Sequence, residues 1–283
     1  MENTFMYASK EDRLWVEGLL DGIVANNPED ELFEDLDDEE IGILMDMSTE
    51  LAFGDADDIF DIVLENDAFF FDRIHHPTVK RLLLIALNAG IAQNDGECAN
   101  YLGALYYMGH GVDLDFEKAM EYYEMGMDWG SSQAAVNFGY CFYYGRNGED
   151  PDYEKAYQYF SRGIMMDGNP EGYMKVADMY LRGRYVKEDP VFAYRLYKKS
   201  YEMTEDTHYC ARPAHHLADL YLSGIDGFLE SDAHTALVLY QKAESYYYQE
   251  IASGLGYYRK HLQAAIDGQV EAREILTAQG DFS

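Results

Sequence analysis

From residue 97 to residue 280 the chain sets small and apolar residues at helical spacing, in blocks that recur. In each block a small residue is followed three positions later by an aromatic and six positions later by Gly. Gly103, Tyr106 and Gly109 form the first set, and Gly139, Phe142 and Gly145 the second. Ala177, Tyr180 and Gly183 form the third, and Ala218, Tyr221 and Gly224 the fourth. The anchors stand 36, 38 and 41 residues apart, a period that marks stacked helix pairs. Each block has a similar second half, carrying "EKAMEYYE", "EKAYQYFS", "VFAYRLYK" or "HTALVLYQ". Ala119, Ala156, Ala193 and Ala236 precede an aromatic or aromatic-aliphatic pair by three and four residues, which is one face of a helix.

The physical reason for the pattern is close approach. Two antiparallel helices meet tightly only where side chains are small, so Gly or Ala belongs at the crossing and the aromatic fills the wedge beside it. The Gly after the first helix suits a left-handed cap. A single hairpin cannot bury its own apolar face, so neighbours must stack on it. Gly130, Gly168 and Gly268 are expected at junctions before new first helices, with "GQVEAREILTAQG" as a closing helix.

Residues 1–95 do not show this repeat, but helical patterns are present. Ser9 is an N-cap candidate ahead of Leu14, Trp15, Leu19, Leu20 and Ile23. Ile41, Leu44, Met45 and Leu51 fall at helical spacing behind a turn of acids that suits the helix dipole. "PTVKRLLLIALNAG" puts Pro77 in a first turn and Gly90 near the end, and it reads as the second helix of a degenerate repeat docking on the first block. The acidic stretch "NPEDELFEDLDDEE" reads as a solvated linker. A sharper reading makes it an acidic-hydrophobic segment presented to a basic partner. The expected organisation is an acidic helical region over 1–95, with a degenerate repeat near 77–95, and about four repeats plus a closing helix over 96–283.

The run "ANYLGALYYMGHGVDLDFEKAMEYYEMGMDWG" resembles the consensus of the Sel-one-like repeat (SLR) family, relatives of the tetratricopeptide repeats. The second block keeps "AAVNFGYCFYYG" and "YEKAYQYF", and the third and fourth place Ala where Gly103 and Gly139 stand. The resemblance implies an all-α fold, an α-solenoid of stacked antiparallel helix pairs. It implies little about function, because the shared residues are packing residues. A subgroup of the family is described as β-lactamase-like and carries a cysteine pair in each repeat. Cys98, Cys141 and Cys210 depart from that pattern, so the activity is not carried over.

Charge narrows the partners. There are 53 acids against 21 bases, a net charge of −32. Residues 1–95 alone hold 24 Asp/Glu and 5 Lys/Arg. Such a surface disfavours nucleic acid and anionic membranes and attracts basic partners. Three widely spaced cysteines do not make a disulfide framework and point to a reducing compartment. With no signal-peptide pattern at the start and no apolar run long enough to span a bilayer, a cytoplasmic location is expected.

A search for chemistry finds no GxSxG, P-loop, GxGxxG or HExxH pattern. The acids from Asp55 fail the EF-hand spacing at Ile59 and Phe60. "HYCARPAHH" offers His208, Cys210, His215 and His216 as ligand types but has no matching half-site. No cofactor, metal or catalytic residue is expected. "YYY" at 246–248 falls outside the repeat register, either as an extension of the fourth second helix or as an exposed patch.

If the array curves as the resembling ones do, first helices line a concave face. The positions left by packing are Asn100, Ala104 and Tyr107; Val136, Tyr140 and Tyr143; Met174, Asp178 and Leu181; and His215, Asp219 and Leu222. This mixed surface suits a protein or peptide with apolar anchors and some basic residues. A family relative that clamps a C-terminal carboxylate uses Lys and Asn on this face; only Asn100 is present here. The expected function is a non-enzymatic interaction scaffold. The alternative is an acidic inhibitor or immunity-type protein that neutralises a basic toxin or nuclease.

Overall fold

The computed structural model describes residues 9–25, 31–53, 57–146, 148–205, 207–252 and 256–280. Among them every regular element is helical, and the only bridge pairing is the isolated one between Ile225 and Leu229. The fold is the all-α solenoid class of antiparallel helix pairs expected from the period. Contacts divide the chain into two units, residues 1–152 and 153–283. The boundary falls in the loop of the second repeat.

The first unit holds α1 (Lys10–Val24), α2 (Asp38–Phe53), α3 (Asp57–Glu65), α4 (Asp67–Asp72), α5 (Pro77–Ala92), α6 (Gly96–Met108), α7 (Phe116–Asp128) and α8 (Ser132–Tyr143). Ser9 caps α1 by accepting from the Asp12 amide at 3.1 Å. The buried stripe of α1 is Val16 and Leu19, with Trp15 and Ile23 packed beside them, and Leu14 is exposed. On α2 the stripe is Leu44, Met47, Ser48 and Leu51, whereas Met45 is exposed. In both helices the tertiary neighbour selected an i, i+3, i+4, i+7 stripe slightly rotated from the expected one.

Part of the acidic stretch is anchored, which corrects its reading as a solvated linker. Glu31–Phe33 forms a 3-10 turn, Phe33 is buried, and Leu32 and Leu36 pack on the core. The Thr78 hydroxyl donates to the Leu32 carbonyl at 2.7 Å, and Arg73 pairs with Glu40 at 2.6 Å. Residues 27–30 of the stretch, and 55–56 at the start of the rejected calcium loop, lie outside the described residues; the rest of that loop is helix α3, with Ile59 buried. One hydrophobic cluster runs from Val16 through α5 to Cys98, Leu102 and Leu105 of α6.

The end of α5 and the end of α7 are built alike. Asn94 and Gly130 take φ 63° and 104°. The next residue caps the following helix: Asp95 accepts from the Cys98 amide at 2.8 Å, and Ser131 from the Ala134 amide at 3.1 Å. The Asp95 amide donates to the Gly90 carbonyl at 3.0 Å, as the Ser131 amide does to that of Gly126 at 2.9 Å. A side chain on Gly90 would collide with Cys98, and one on Gly126 with the Gly96 carbonyl and Ala134.

The second unit holds α9 (Tyr153–Asp167), α10 (Pro170–Arg182), α11 (Pro190–Thr204), α12 (Ala211–Ser223), α13 (Ala233–Ala252) and α14 (Arg259–Gln279). Here α10 packs along α11, α12 along α13, and α13 along α14. Gly183 takes the left-handed cap after α10, but Gly224 pairs φ 72° with ψ 175° and turns the chain into the Ile225–Leu229 bridge instead. Gly268 is not a junction. It lies inside α14, where the ring of Tyr240 covers it so closely that no side chain fits. Tyr246–Tyr248 extend α13; Tyr247 is buried, Tyr246 packs on the core and Tyr248 is exposed.

The second-helix aromatics lie deep in the repeats. Tyr123, Phe160, Tyr197 and Tyr240 are each at most 2% exposed. Burial of each such ring contributes roughly 1.5–3 kcal/mol.

Candidate functional site

In the first unit, α6 and α8 place the candidate residues. The small residue is required at Gly103: an added Cβ would stand 2.8 Å from the Tyr123 ring and 3.2 Å from the Ala119 carbonyl. With that side of α6 closed, Asn100, Ala104 and Tyr107 remain half-buried. The Asn137 amide donates to the Asn100 side-chain oxygen at 2.8 Å, and Gln133 donates to Asn137 at 3.3 Å. This amide ladder carries polar groups from α8 to α6. The Tyr107 ring meets Phe116 edge-on, with centroids 5.3 Å apart. Tyr140 is half-buried and stacks parallel on Tyr144. Val136 and Tyr143 are buried and serve as packing.

In the second unit the corresponding positions diverge. Leu181 and Leu222 pack partly on the core, and Asp219 keeps half of its side chain exposed. Met174, Asp178 and His215 are buried, at 3%, 4% and 8% exposure, so a partner could not touch them without displacing their neighbours.

Asp178 and His215 belong to a polar network between helices. The Lys175 ammonium lies 3.1 Å from Asp178, and the Tyr197 hydroxyl donates to the other carboxylate oxygen at 2.6 Å. His216 stacks on Tyr197 with its Nε2 3.6 Å from Asp178. Arg212 of α12 pairs with Glu171 of α10 at 3.1 Å. His215 Nδ1 is 3.3 Å from the Tyr247 hydroxyl, and Tyr240 donates to Asp219 at 2.7 Å. His261 of α14 packs against Tyr247, Tyr257 and Tyr258.

Electrostatics fixes the charge states. Burial pushes the Lys175 ammonium down, Arg212 adds to this, and Asp178 opposes it. Burial also opposes ionisation of Asp178, but Lys175, His216 and the Tyr197 hydroxyl outweigh it and hold the carboxyl well below the usual range. Burial lowers His216 to about 3 and His261 to about 4, with Arg212 assisting in both, and it also lowers His215. An ionised Asp178, with the Lys175 side chain against it, therefore sits among neutral imidazoles at neutral pH.

Lys175, Arg212 and His261 were not singled out in the sequence, Tyr197 and Tyr240 were read only as packing positions of the repeat, and His216 only as a ligand type without a matching half-site. One signal was available: only in the third and fourth blocks is the small residue followed by Asp, at Asp178 and Asp219. In those blocks the anchor is Ala, and the buried tyrosine of the second helix donates to that Asp.

The cysteines are free and buried, and burial pushes the Cys141 thiol up to about 12. Among the described residues no group of three His, Cys, Asp or Glu is placed to hold a metal ion. The His208 side chain lies outside the described residues. No helix of the described residues is long and apolar enough to cross a membrane.

Paired helices, small residues at their crossings and capped junctions define a helical-repeat protein. The Sel1 repeat matches four stretches, residues 96–126, 132–167, 170–204 and 214–245. The chain belongs to the Sel1-repeat family, whose members are generally protein-interaction scaffolds. A Sel1 repeat protein from Oxalobacter formigenes is similar in structure, with a TM-score of 0.54 and 19% identity, over 79% of this chain and 89% of that one. A protective antigen of uropathogenic Escherichia coli displaying an SLR fold gives 0.48 and 16%, over 94% of this chain and 57% of that one. No curated protein matches the chain.

Proposed function

We propose that the chain is a non-enzymatic scaffold that binds a partner protein or peptide through the faces of its first helices. The observation that carries this reading is the half-buried row of Asn100, Tyr107 and Tyr140, where amide groups and phenol rings share one side of α6 and α8. Aromatic rings beside polar groups make interaction anchors, because they offer large contact area at low entropy cost. Leu181, Asp219 and Leu222 form the accessible part of the same register in the second unit. Met174, Asp178 and His215 are buried in the second unit, as Tyr143 is in the first, and serve as packing. Buried free thiols support a reducing compartment such as the cytoplasm.

The test is affinity capture with the wild-type chain and a Tyr107→Ala/Tyr140→Ala variant. A partner retained in high salt by the wild type and lost by the variant is the expected result. Equal recovery by both would remove these faces from the reading.

A second reading, an acidic inhibitor of a basic toxin or nuclease, rests on the 24 acids of residues 1–95. It predicts a complex insensitive to the tyrosine changes that weakens steeply with salt.

A further inference from the structure

The acidic first third contains one helix, α5, whose only charges are positive, the adjacent Lys80 and Arg81. Of its five basic residues, Lys10 and Arg13 stand on α1, and Lys80 and Arg81 on α5. Helix α5, "PTVKRLLLIALNAGIA", carries no acid at all. Between α1 and α5 lies a cavity of about 430 Å³. Leu84 and Ile85 give it an apolar wall, Asn88 a polar end, and Lys80 and Arg81 its positive edge. The volume falls in the range of small-molecule sites.

The charges at its edge are available. Arg81 lies over the Trp15 ring, 4.6 Å from the centroid, which fixes the guanidinium beside the opening. Its carboxylate neighbour, Glu11, is 3.7 Å away and 87% exposed, a contact that a ligand displaces at little cost. Asp12 also lines the cavity, on its α1 side, where the Ser9 hydroxyl donates to one carboxylate oxygen at 2.6 Å, so an anionic head is confined to the Lys80–Arg81 side. Among the described residues no carboxylate pairs with the Lys80 ammonium.

We infer that the α1–α5 cavity binds a small amphipathic anion, an apolar body with one carboxylate or phosphate head. The body lies along Leu84 and Ile85, and the head meets Lys80 and Arg81. A negatively charged chain repels such a molecule at long range, so binding depends on these two side chains at short range and on the apolar wall.

Trp15 supplies the readout. The full chain carrying Trp129→Phe, with Trp15 as its one remaining tryptophan, is titrated with sodium decanoate, decyl phosphate and decanol, all below micellar concentrations. Saturable change in Trp15 emission is expected with decanoate or decyl phosphate, and the tighter of the two identifies the head group. Decanol should bind at least about tenfold more weakly, and Lys80→Glu should weaken the anions by at least about tenfold. Calorimetry on the unaltered chain, and Lys80→Gln as a milder variant, guard against a folding defect. Decanol binding as tightly as the anions, no saturable binding, or affinity unchanged by both Lys80 variants would overturn the inference.

Discussion

The hydroxyl of Tyr197 donates to the carboxylate of Asp178 across the α10–α11 pair, at 2.6 Å. One repeat later Tyr240 does the same to Asp219, at 2.7 Å. Both acids directly follow the Ala that replaces the crossing glycine. A methyl at the crossing leaves less room for the ring, and the ring's polar end finds an acceptor one residue along the facing helix.

Asp178 also accepts from Lys175, and both side chains are about 95% buried. Asp178→Ala would take the acceptor from both the buried Lys175 and the Tyr197 hydroxyl and should destabilise the second unit by about 3–5 kcal/mol. Tyr197→Phe removes one hydrogen bond to a charged group and should cost about 1.5–3 kcal/mol. Urea denaturation of the variants checks both values and their order. A Tyr197→Phe loss equal to that of Asp178→Ala would contradict the larger role of Asp178.

In the first repeat the crossing residue is Gly103 and its neighbour is Ala104, with Tyr123 opposite. Gly103→Ala should destabilise by about 1–2 kcal/mol, because the overpacking against Tyr123 exceeds the gain in helix propensity. Gly103→Ala/Ala104→Asp should recover part of the loss by giving Tyr123 the acceptor that Tyr197 and Tyr240 have. A double-mutant cycle in urea measures this, and a coupling of zero or unfavourable sign would reject the compensation.

Three imidazoles make stability depend on pH. The unfolded chain protonates His near pH 6.5, whereas folded His216 and His261 protonate only near 3 and 4, and His215 is also lowered. Above pH 7 both states are neutral and no contribution exists. As pH falls through 6.5 the unfolded state takes up more protons, so stability decreases, by up to about 1.4 kcal/mol per pH unit for each His. Asp178 is not involved in this window, since its contribution is lost only below its unfolded value near 4. Denaturation between pH 7.5 and 5 should show the fall, and His216→Phe should reduce the slope. An unchanged slope would remove His216 from the account.

Asn94 holds φ 63° at an exposed position where the next junction has Gly130. Asn94→Val should cost about 1–2 kcal/mol, because a β-branched residue resists the left-handed region. Asn94→Gly should be near neutral or slightly stabilising. Thermal melting of the two variants compares them directly, and equal melting temperatures would show that the junction adapts.

The Gly103–Tyr106–Gly109 spacing and its three echoes were enough to place α6 to α13, because they record close helix approach, a local and repeated constraint. Ser9 and Pro77 marked helix starts for the same reason, through unsatisfied amides and a fixed φ. Side-chain facing was less legible. Asn100, Tyr107 and Tyr140 stay accessible where the register puts them, while Met174, Asp178 and His215 are covered. Coverage depends on which neighbouring helix lies over each position, and a period cannot state that.

The order and type of α1, α2 and α5 to α13 were set by patterns within about ten residues of each element, and those the sequence determined by itself; it did not mark α3 and α4 or the start of α14. Three features were decided only by tertiary structure: the gathering of Lys175, Arg212, His216 and His261, the use of Gly268 as a seat for Tyr240, and the cavity between α1 and α5. Each joins residues far apart in the chain, whose burial and charge state arise only when the helices stack.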